Sequence, residues 1–470
     1  MMKRSWPAIF VLCLVLAPQD LPGEPQESPR IDAGRIMARL EALGQIGKTA
    51  EGGVSRPAFS EPDIQGRAYI ITLMKESGLE VRIDTVGNII GRRAGMDKEA
   101  PPVVLASHLD TVPNGGKYDG ALGVIAALEC VQALEESGTQ TRHPLEVVVF
   151  VDEEGGLIGS RGMVGELDDK TLDLVSQGGK TVREGIAALG GKPDLIKGAV
   201  RFRGNIAAYL EIHIEQGSVL DSGGISIGVV EGIVGIARWD VTIGGSANHA
   251  GTTPMGERQD ALLAAARLIL AVNRTVTAEP GRQVGTVGRI QAEPGAVNVI
   301  PGKVVMSLEL RDLSMDKVRS LFSRIEAEGR RIETETSTKI SFTALEETSP
   351  ALTDSQLRNL IRESAAELGL SSLDMPSGAG HDAQSIARIA PIGMIFIPSV
   401  GGISHSPREF SRPEDIVNGA RVLLRTLLKV DGWAVSQSDS KSQIMFVRRC
   451  PISVLLSNCA PLHTASDPHA

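Results

Sequence analysis

Aromatic side chains make up only 3% of this 470-residue chain, and cysteine occupies only 4 positions. The first scarcity leaves the core to Val, Ile, Leu and Ala; with 52 glycines for tight turns, that points to an α/β protein. The second excludes a disulfide-stapled fold. Cys13 sits in an N-terminal apolar run, Cys130 in a helical apolar stretch that suits a buried inert thiol, and only Cys450 and Cys459 could pair with each other. Long basic runs are also missing. With a net charge of −9, this argues against a nucleic-acid partner or an anionic membrane surface. The apolar stretch Trp6 to Ala17 falls short of the roughly 20 residues of a membrane anchor. Preceded by Lys3 and Arg4 and followed by Pro18 and a polar, Pro-rich segment, it reads as an export leader over residues 1–28. Periplasmic or secreted location is the expectation, cytoplasmic the alternative, and no stable membrane anchor is expected.

What is present has the rhythm of a layered α/β fold. Ile31 to Leu43 has helical periodicity, and Val103 to Ser107 and Leu145 to Val151 are short β-branched runs of the kind that form buried parallel strands. Gly120 to Ser137, between those two runs, reads as a helix. From Ile225 to about Phe342 the order becomes strand, strand, helix (Gln259 to Thr275), strand (Val284 to Ala292), strand (Val304 to Leu310), helix (Met315 to Thr336), strand. This α+β unit looks inserted, because polar motifs of one kind precede it and resume after it. Ile392 to Ile397 reads as a buried strand and Ile416 to Leu428 as a closing helix. The expected division is a catalytic domain in two parts, 31–217 and 346–432, an inserted unit over 218–345, and a weakly ordered tail over 433–470.

The chemistry-bearing residues lie in short motifs at the ends of the predicted strands, where α/β sheets place their sites. They are His108, Asp110 and Asp119 in A-S-H-L-D-T-V-P-N-G-G-K-Y-D-G, Glu153 and Glu154 in V-D-E-E-G, His213 in L-E-I-H-I-E-Q-G, and His405 in G-G-I-S-H-S-P. Each has an ordinary reading when taken alone. An H-x-D triplet is commonly a polar loop, and Asp119 stands where a helix cap would. Adjacent glutamates are often a solvated turn, and a histidine in a glycine-rich loop is usually just exposed. Together they supply histidines and carboxylates able to hold two divalent metals around a shared carboxylate, which turns water into a nucleophile at neutral pH. Two adjacent carboxylates at a buried strand end repel unless a cation or shared proton compensates; in that reading Glu154 ligates and Glu153 carries protons.

With these motifs in this order, the chain resembles the dinuclear metallo-amidohydrolases of the carbamoylase branch. That branch contains N-carbamoyl-L-amino acid, allantoate and ureidoglycolate amidohydrolases and β-ureidopropionases. It shares a superfamily with aminoacylases and carboxypeptidase-like metallopeptidases. The resemblance covers Ile31 to Asp431, and its most diagnostic element is H-I-E-Q-G at 213–217, where the peptidase relatives usually carry an aspartate. It implies a metallopeptidase-like catalytic domain, a mixed central sheet flanked by helices, with a ferredoxin-like inserted unit that serves as a dimerisation domain.

The resemblance further implies that Asp119 bridges two metals, one completed by His108 and His213, the other by Glu154 and His405. Zinc is the first choice, manganese or cobalt the alternatives. Glu153 would be the general base and Asp110 the orienter of His108. Substrate-side positions would be Gln216, His249 in S-A-N-H-A-G-T-T-P-M, Asn298 in G-A-V-N-V-I-P-G, Arg311 in L-E-L-R-D, and Gly380 and His381 in G-A-G-H-D, partly reached across a homodimer. Arg311 can grip a carboxylate with two parallel hydrogen bonds; its plain alternative is an ion pair with Asp312 or Glu309. His249 could donate to an oxyanion or be an ordinary loop histidine. The implied activity is hydrolysis of a ureido or N-carbamoyl compound bearing a carboxylate, with release of ammonia. A dipeptidase or N-acyl amino acid hydrolase with the same metals is the alternative, and a catalytically silent ligand-binding relative a more remote one.

Overall fold

The computed structural model describes residues 28–446. The expectations for the leader, for a Cys450–Cys459 pair and for the end of the tail lie outside those residues. Two sheets organise the rest. The larger is mixed and nine-stranded, in the order Glu80–Ile83, Ile89–Arg93, Leu145–Phe150, Val103–His108, Ala208–Ile214, Ile392–Ile397, Ile227–Ile233, Ala351–Leu352, with Ser372–Ser377 also paired to Ile227–Ile233. Its middle strands, 145–150, 103–108, 208–214 and 392–397, are mutually parallel. Every residue in them is buried, which is why they read as unbroken apolar runs and not as alternating ones.

The pleat divides those strands between two cores. Val103, Leu105, Val147, Leu210 and Ile395 pack beneath the helices Ala33–Gln45, Ala121–Glu136, Ser355–Glu367 and Pro413–Phe446. Val104, Ala106, Val148, Phe150 and Phe396 face the short helices Ile158–Met163 and Asp382–Ile386 on the other side. The helix 121–136 is sandwiched, and its one buried acid, Glu129, is neutralised by Arg35 at 2.7 Å and also accepts the Asp32 amide at 2.7 Å. Cys130, on the same helix, is buried and free, and burial raises its thiol well above the usual range. Among the described residues no helix is long and apolar enough to cross a membrane.

The smaller sheet is antiparallel, ordered Ile290–Glu293, Lys303–Asp312, Gly235–Gly244, Lys339–Thr348, with Val284–Thr286 also paired to 303–312. Val304, Met306, Leu308 and Leu310 alternate toward the helices Ala261–Thr277 and Met315–Thr336, leaving the other face polar. Asp260 starts the first of these helices by accepting the Leu262 and Leu263 amides at 3.0 Å.

Three sequence expectations differ from what is seen. Ile227–Ile233, read as part of the inserted unit from 218, belongs to the large sheet, paired with 392–397 and 372–377. The second sheet therefore begins at Gly235 and ends at Thr348. In that place the strand is almost wholly buried. The expected strand 284–292 is two short strands, because Ser307 exchanges hydrogen bonds with Arg289 and offsets the register there. The closing helix, expected over Ile416 to Leu428, runs over Pro413–Phe446.

Candidate functional site

Three neighbouring strands of the large sheet end on one edge and deliver the histidines and glutamates. His108 is the last residue of 103–108, His213 the penultimate residue of 208–214, and Glu153 and Glu154 follow 145–150 directly. Asp119 stands just before the helix 121–136, and His405 comes from the loop after 392–397. Asp119 aims one carboxylate oxygen each way. Its Oδ1 lies 3.1 Å from His213 Nε2 and 3.6 Å from His108 Nε2, while Oδ2 lies 3.4 Å from His405 Nε2. Glu154 Oε1 is 3.5 Å from the same His405 nitrogen. Two triads result, His108–Asp119–His213 and Asp119–Glu154–His405, each with its donor atoms within 4.8 Å of one another.

The backbone fixes which atoms face inward. His108 Nδ1 is 3.0 Å from the Asp110 carbonyl and His213 Nδ1 is 2.9 Å from the Ile214 carbonyl. A ring that donates from Nδ1 presents an Nε2 lone pair, as a metal ligand requires. Asp110 thus orients His108 through its main chain; its carboxylate is 3.8 Å from the ring. That carboxylate instead accepts the amides of Glu153 and Glu154 at 3.3 and 3.1 Å and holds the turn carrying both. Gly120 has φ +63, and a Cβ there would lie 2.4 Å from the His108 ring, so only glycine fits between the two histidines. Asp152, Leu157, Gln216 and His405 also adopt positive φ, four of the seven non-glycine residues that do so among the described residues, and these four are at or beside this site.

Charge makes the same case. Among the described residues, Asp119, Glu153 and Glu154 form ion pairs only with histidines and with no Lys or Arg. Burial, then the charges of Asp382 and Glu154, push Glu153 well above the usual carboxylate range. Burial and Asp119 raise Glu154 to about 8. Burial lowers His108 to about 4, so its imidazole is neutral. Burial opposes the charge on His213, but Asp119 outweighs it and raises that ring to about 9. The His405 ring, hydrogen-bonded to Asp119, also rises to about 9. His108 Nε2 and Glu154 Oε1 are buried without a hydrogen-bond partner. Uncompensated buried carboxylates and orphaned ligand atoms are what a cation site looks like when read from the protein side. The donor set, imidazole nitrogens and carboxylate oxygens, suits zinc and its neighbours.

The substrate-side residues of the sequence reading are dispersed. Gln216 is at the metal cluster, its amide donating to Asp119 Oδ2 at 2.8 Å. Arg311 pairs with Glu309 at 2.7 Å and donates to the Gly378 carbonyl at 2.6 Å, so it links the second sheet to the G-A-G-H-D loop. Gly380 is exposed in that loop. His381 is not on an open face: it is 1% exposed, bonded to Ser377 Oγ at 2.9 Å and packed edge-on behind His213 at 4.6 Å. Its ring nitrogen, with Glu211 and His213, forms a third group whose donor atoms lie within 4.8 Å of one another. His249 and Asn298 sit together on a small exposed ribbon, Asn248–His249 paired with Val299–Ile300, and their hydrogen bonds stay within that ribbon and its turns.

Sequence reasoning missed Glu409 and Ser404. Glu409 is buried and accepts the Tyr118 and Asp119 amides at 3.0 and 3.1 Å. Ser404 Oγ lies 3.0 Å from both Asp119 Oδ2 and Glu409 Oε2. The only available signal was a glutamate four residues after His405, which looks like any loop acid.

Known proteins share this arrangement of chain. Residues 104–429 match peptidase family M20/M25/M40. The N-carbamoyl-L-amino acid amidohydrolase of Geobacillus stearothermophilus is 40% identical over 414 residues, covering 87% of this chain and all of that one. The allantoate amidohydrolase of Bacillus subtilis is 35% identical over 401 residues, covering 84% of this chain and 97% of that one. An amidase of the hydantoinase/carbamoylase family from Burkholderia multivorans superposes with a TM-score of 0.81 at 35% identity, over 86% of this chain and 99% of that structure.

Proposed function

The chain belongs to peptidase family M20/M25/M40, and on that premise we propose that it hydrolyses the C–N amide bond of a ureido or N-carbamoyl compound bearing a carboxylate, releasing ammonia. The observation that carries this reading is the divergence of the two Asp119 oxygens toward separate triads whose carboxylates, among the described residues, form no ion pair with Lys or Arg. His108 and His213 would hold one cation with Asp119, and Glu154 and His405 a second, zinc being the first choice. Cations bound there supply Lewis-acid activation of water and of the substrate carbonyl.

The protein's own groups do the rest. Glu153 Oε2 lies 3.7 Å from His108 Nε2, beside the cluster but outside both triads, so it is placed to move protons. As the base it takes a proton from water and later returns it to the departing nitrogen. Water adds to the carbonyl carbon and one C–N bond breaks, leaving a carbamic acid that loses carbon dioxide as its remaining C–N bond breaks; an N-carbamoyl amino acid and one water thus yield the free amino acid, carbon dioxide and ammonia. Arg311, with Asn298 and Gln216, receives the substrate carboxylate. His249 donates to the developing oxyanion. Since His249 and Asn298 are exposed on the ribbon, they act after approach of the second-sheet unit or from a second copy of the chain. Fully exposed Val297 and largely exposed Met255 beside them support a homodimeric contact there. The leader over 1–28 supports export, which the mass of the mature protein and cell fractionation would test.

The deciding experiment uses zinc-loaded protein and measures ammonia release from N-carbamoyl-L-amino acids, allantoate and ureidoglycolate, and free amino acid release from N-acetyl amino acids and dipeptides. Turnover confined to the carbamoyl and ureido compounds is expected. Preferential cleavage of the acyl or peptide substrates would overturn the assignment.

A further inference from the structure

Glu409 has no part in the chemistry above, yet it is only 6% exposed amid a crowd of other carboxylates. A buried carboxylate persists where donors satisfy it, and the donors here are specific. Oε1 accepts the amides of Tyr118 and Asp119, and Oε2 accepts the Ser404 hydroxyl at 3.0 Å. The Glu409 amide donates to the Ser406 carbonyl at 3.0 Å. One side chain therefore ties the segment carrying Asp119 to the loop carrying His405, across 290 positions of sequence. Gly116 makes the room, since a Cβ there would lie 2.0 Å from the Glu409 carboxylate.

We propose that Glu409, acting through Ser404, is the positioning residue that sets the Asp119–Glu154–His405 triad for its cation. The proposal rests on the two-cation reading given above. The His108–Asp119–His213 triad depends on this brace only through the shared Asp119, because both of its rings come from strands of the central sheet and are clamped by main-chain carbonyls. His405 has neither support. It lies at φ +53 in a loop, its side chain 48% exposed. Holding the Asp119 amide fixes where that residue starts, and Ser404 Oγ at 3.0 Å from Oδ2 fixes the rotation of its carboxylate. The same serine immediately precedes His405, so one contact sets both ligands.

Donor counting separates the variants. Ser404 has one hydroxyl hydrogen for two carboxylate oxygens. Glutamine at 409 keeps a carbonyl for both amides and offers an NH₂ to the serine oxygen, which frees the hydroxyl hydrogen for Asp119. Alanine keeps none of this and leaves two amides unpaired.

The test is calorimetric titration of Zn²⁺ into metal-free full-length protein for wild type, Glu409→Ala, Glu409→Gln and Ser404→Ala, with thermal unfolding of each metal-free protein. Wild type should take up two cations; uptake of fewer overturns the two-cation reading itself, whatever the variants do. Given two, Glu409→Ala should weaken one step roughly 10–100-fold and leave the other within about threefold, Ser404→Ala should weaken the same step less, and Glu409→Gln should restore it. Equal weakening of both steps, with lower thermal stability in Glu409→Ala and no effect of Ser404→Ala, would make Glu409 merely structural and overturn the proposal. Unchanged affinities in all three variants would overturn it too.

Discussion

His108 and His249 are both histidines of the proposed chemistry, held in opposite ways. His108 is 1% exposed at the end of a central strand, its Nδ1 clamped by the Asp110 carbonyl. His249 is exposed on a two-residue strand, its Nδ1 receiving only the amide of Gly251 two positions on. The edge of the large sheet is preorganised, its ligand atoms aimed before anything binds. The ribbon is self-contained and exposed, so its residues gain a role only by approaching something else. Groups that hold cations must be accurate within tenths of an ångström, whereas groups that close over a substrate must first let it in.

This contrast can be broken at either end. Glu153→Gln on the rigid side should lower kcat by about 10²–10⁴-fold while cation uptake stays intact. Steady-state kinetics with metal analysis checks it, and an unchanged kcat would remove Glu153 from proton transfer. On the ribbon side, the His249→Ala and Glu153→Gln proteins should each be nearly inactive. Co-refolded mixtures should regain up to about a quarter of wild-type activity if the ribbon serves the partner's site. Failure to regain any would mean that His249 works within its own chain or not at all.

The cluster should also announce itself through pH. Asp119, against the effect of burial, keeps His213 protonated up to about 9, the hydrogen bond to Asp119 does the same for His405, and burial keeps Glu154 protonated up to about 8. A cation accepts only the deprotonated donors, so binding at neutral pH must release protons, and affinity must rise as pH rises. Calorimetry in buffers of different ionisation enthalpy, between about pH 6 and pH 8, measures this; a buffer-independent enthalpy would contradict it. The mildest effect belongs to the polar face of the second sheet. Arg238 is 40% exposed and pairs with Glu309 at 2.7 Å and Glu346 at 2.6 Å. Its replacement by alanine should cost no more than about 1 kcal/mol in denaturant unfolding. A larger loss would mean that this face is covered in solution.

Much of the site is readable from local pattern because parallel strands bury both faces and end in polar motifs. Val103 to Ser107 and Leu145 to Val151 announce themselves as apolar runs, and His108 and the Glu153–Glu154 pair stand where those runs stop. Other features had no local trace. Ile227–Ile233 could be assigned to the large sheet only once its partner 392–397 was known, from more than 150 positions further along the chain. Asp110 offered two acceptors, and folding used the carbonyl for His108 and the carboxylate for the next strand's turn. His381 looked available in a glycine-rich segment and is packed behind His213.

Short-range chemistry was thus enough to point to the candidate histidines and carboxylates, their order and the strands beside them, since periodicity and residue type are properties of neighbours along the chain. Which oxygen of Asp119 meets which histidine, and that Glu409 spans the two loops beneath it, depended on contacts between segments far apart along the chain. Burial and hydrogen-bond pairing are set by whatever the fold brings alongside, and no stretch of residues carries that information about itself.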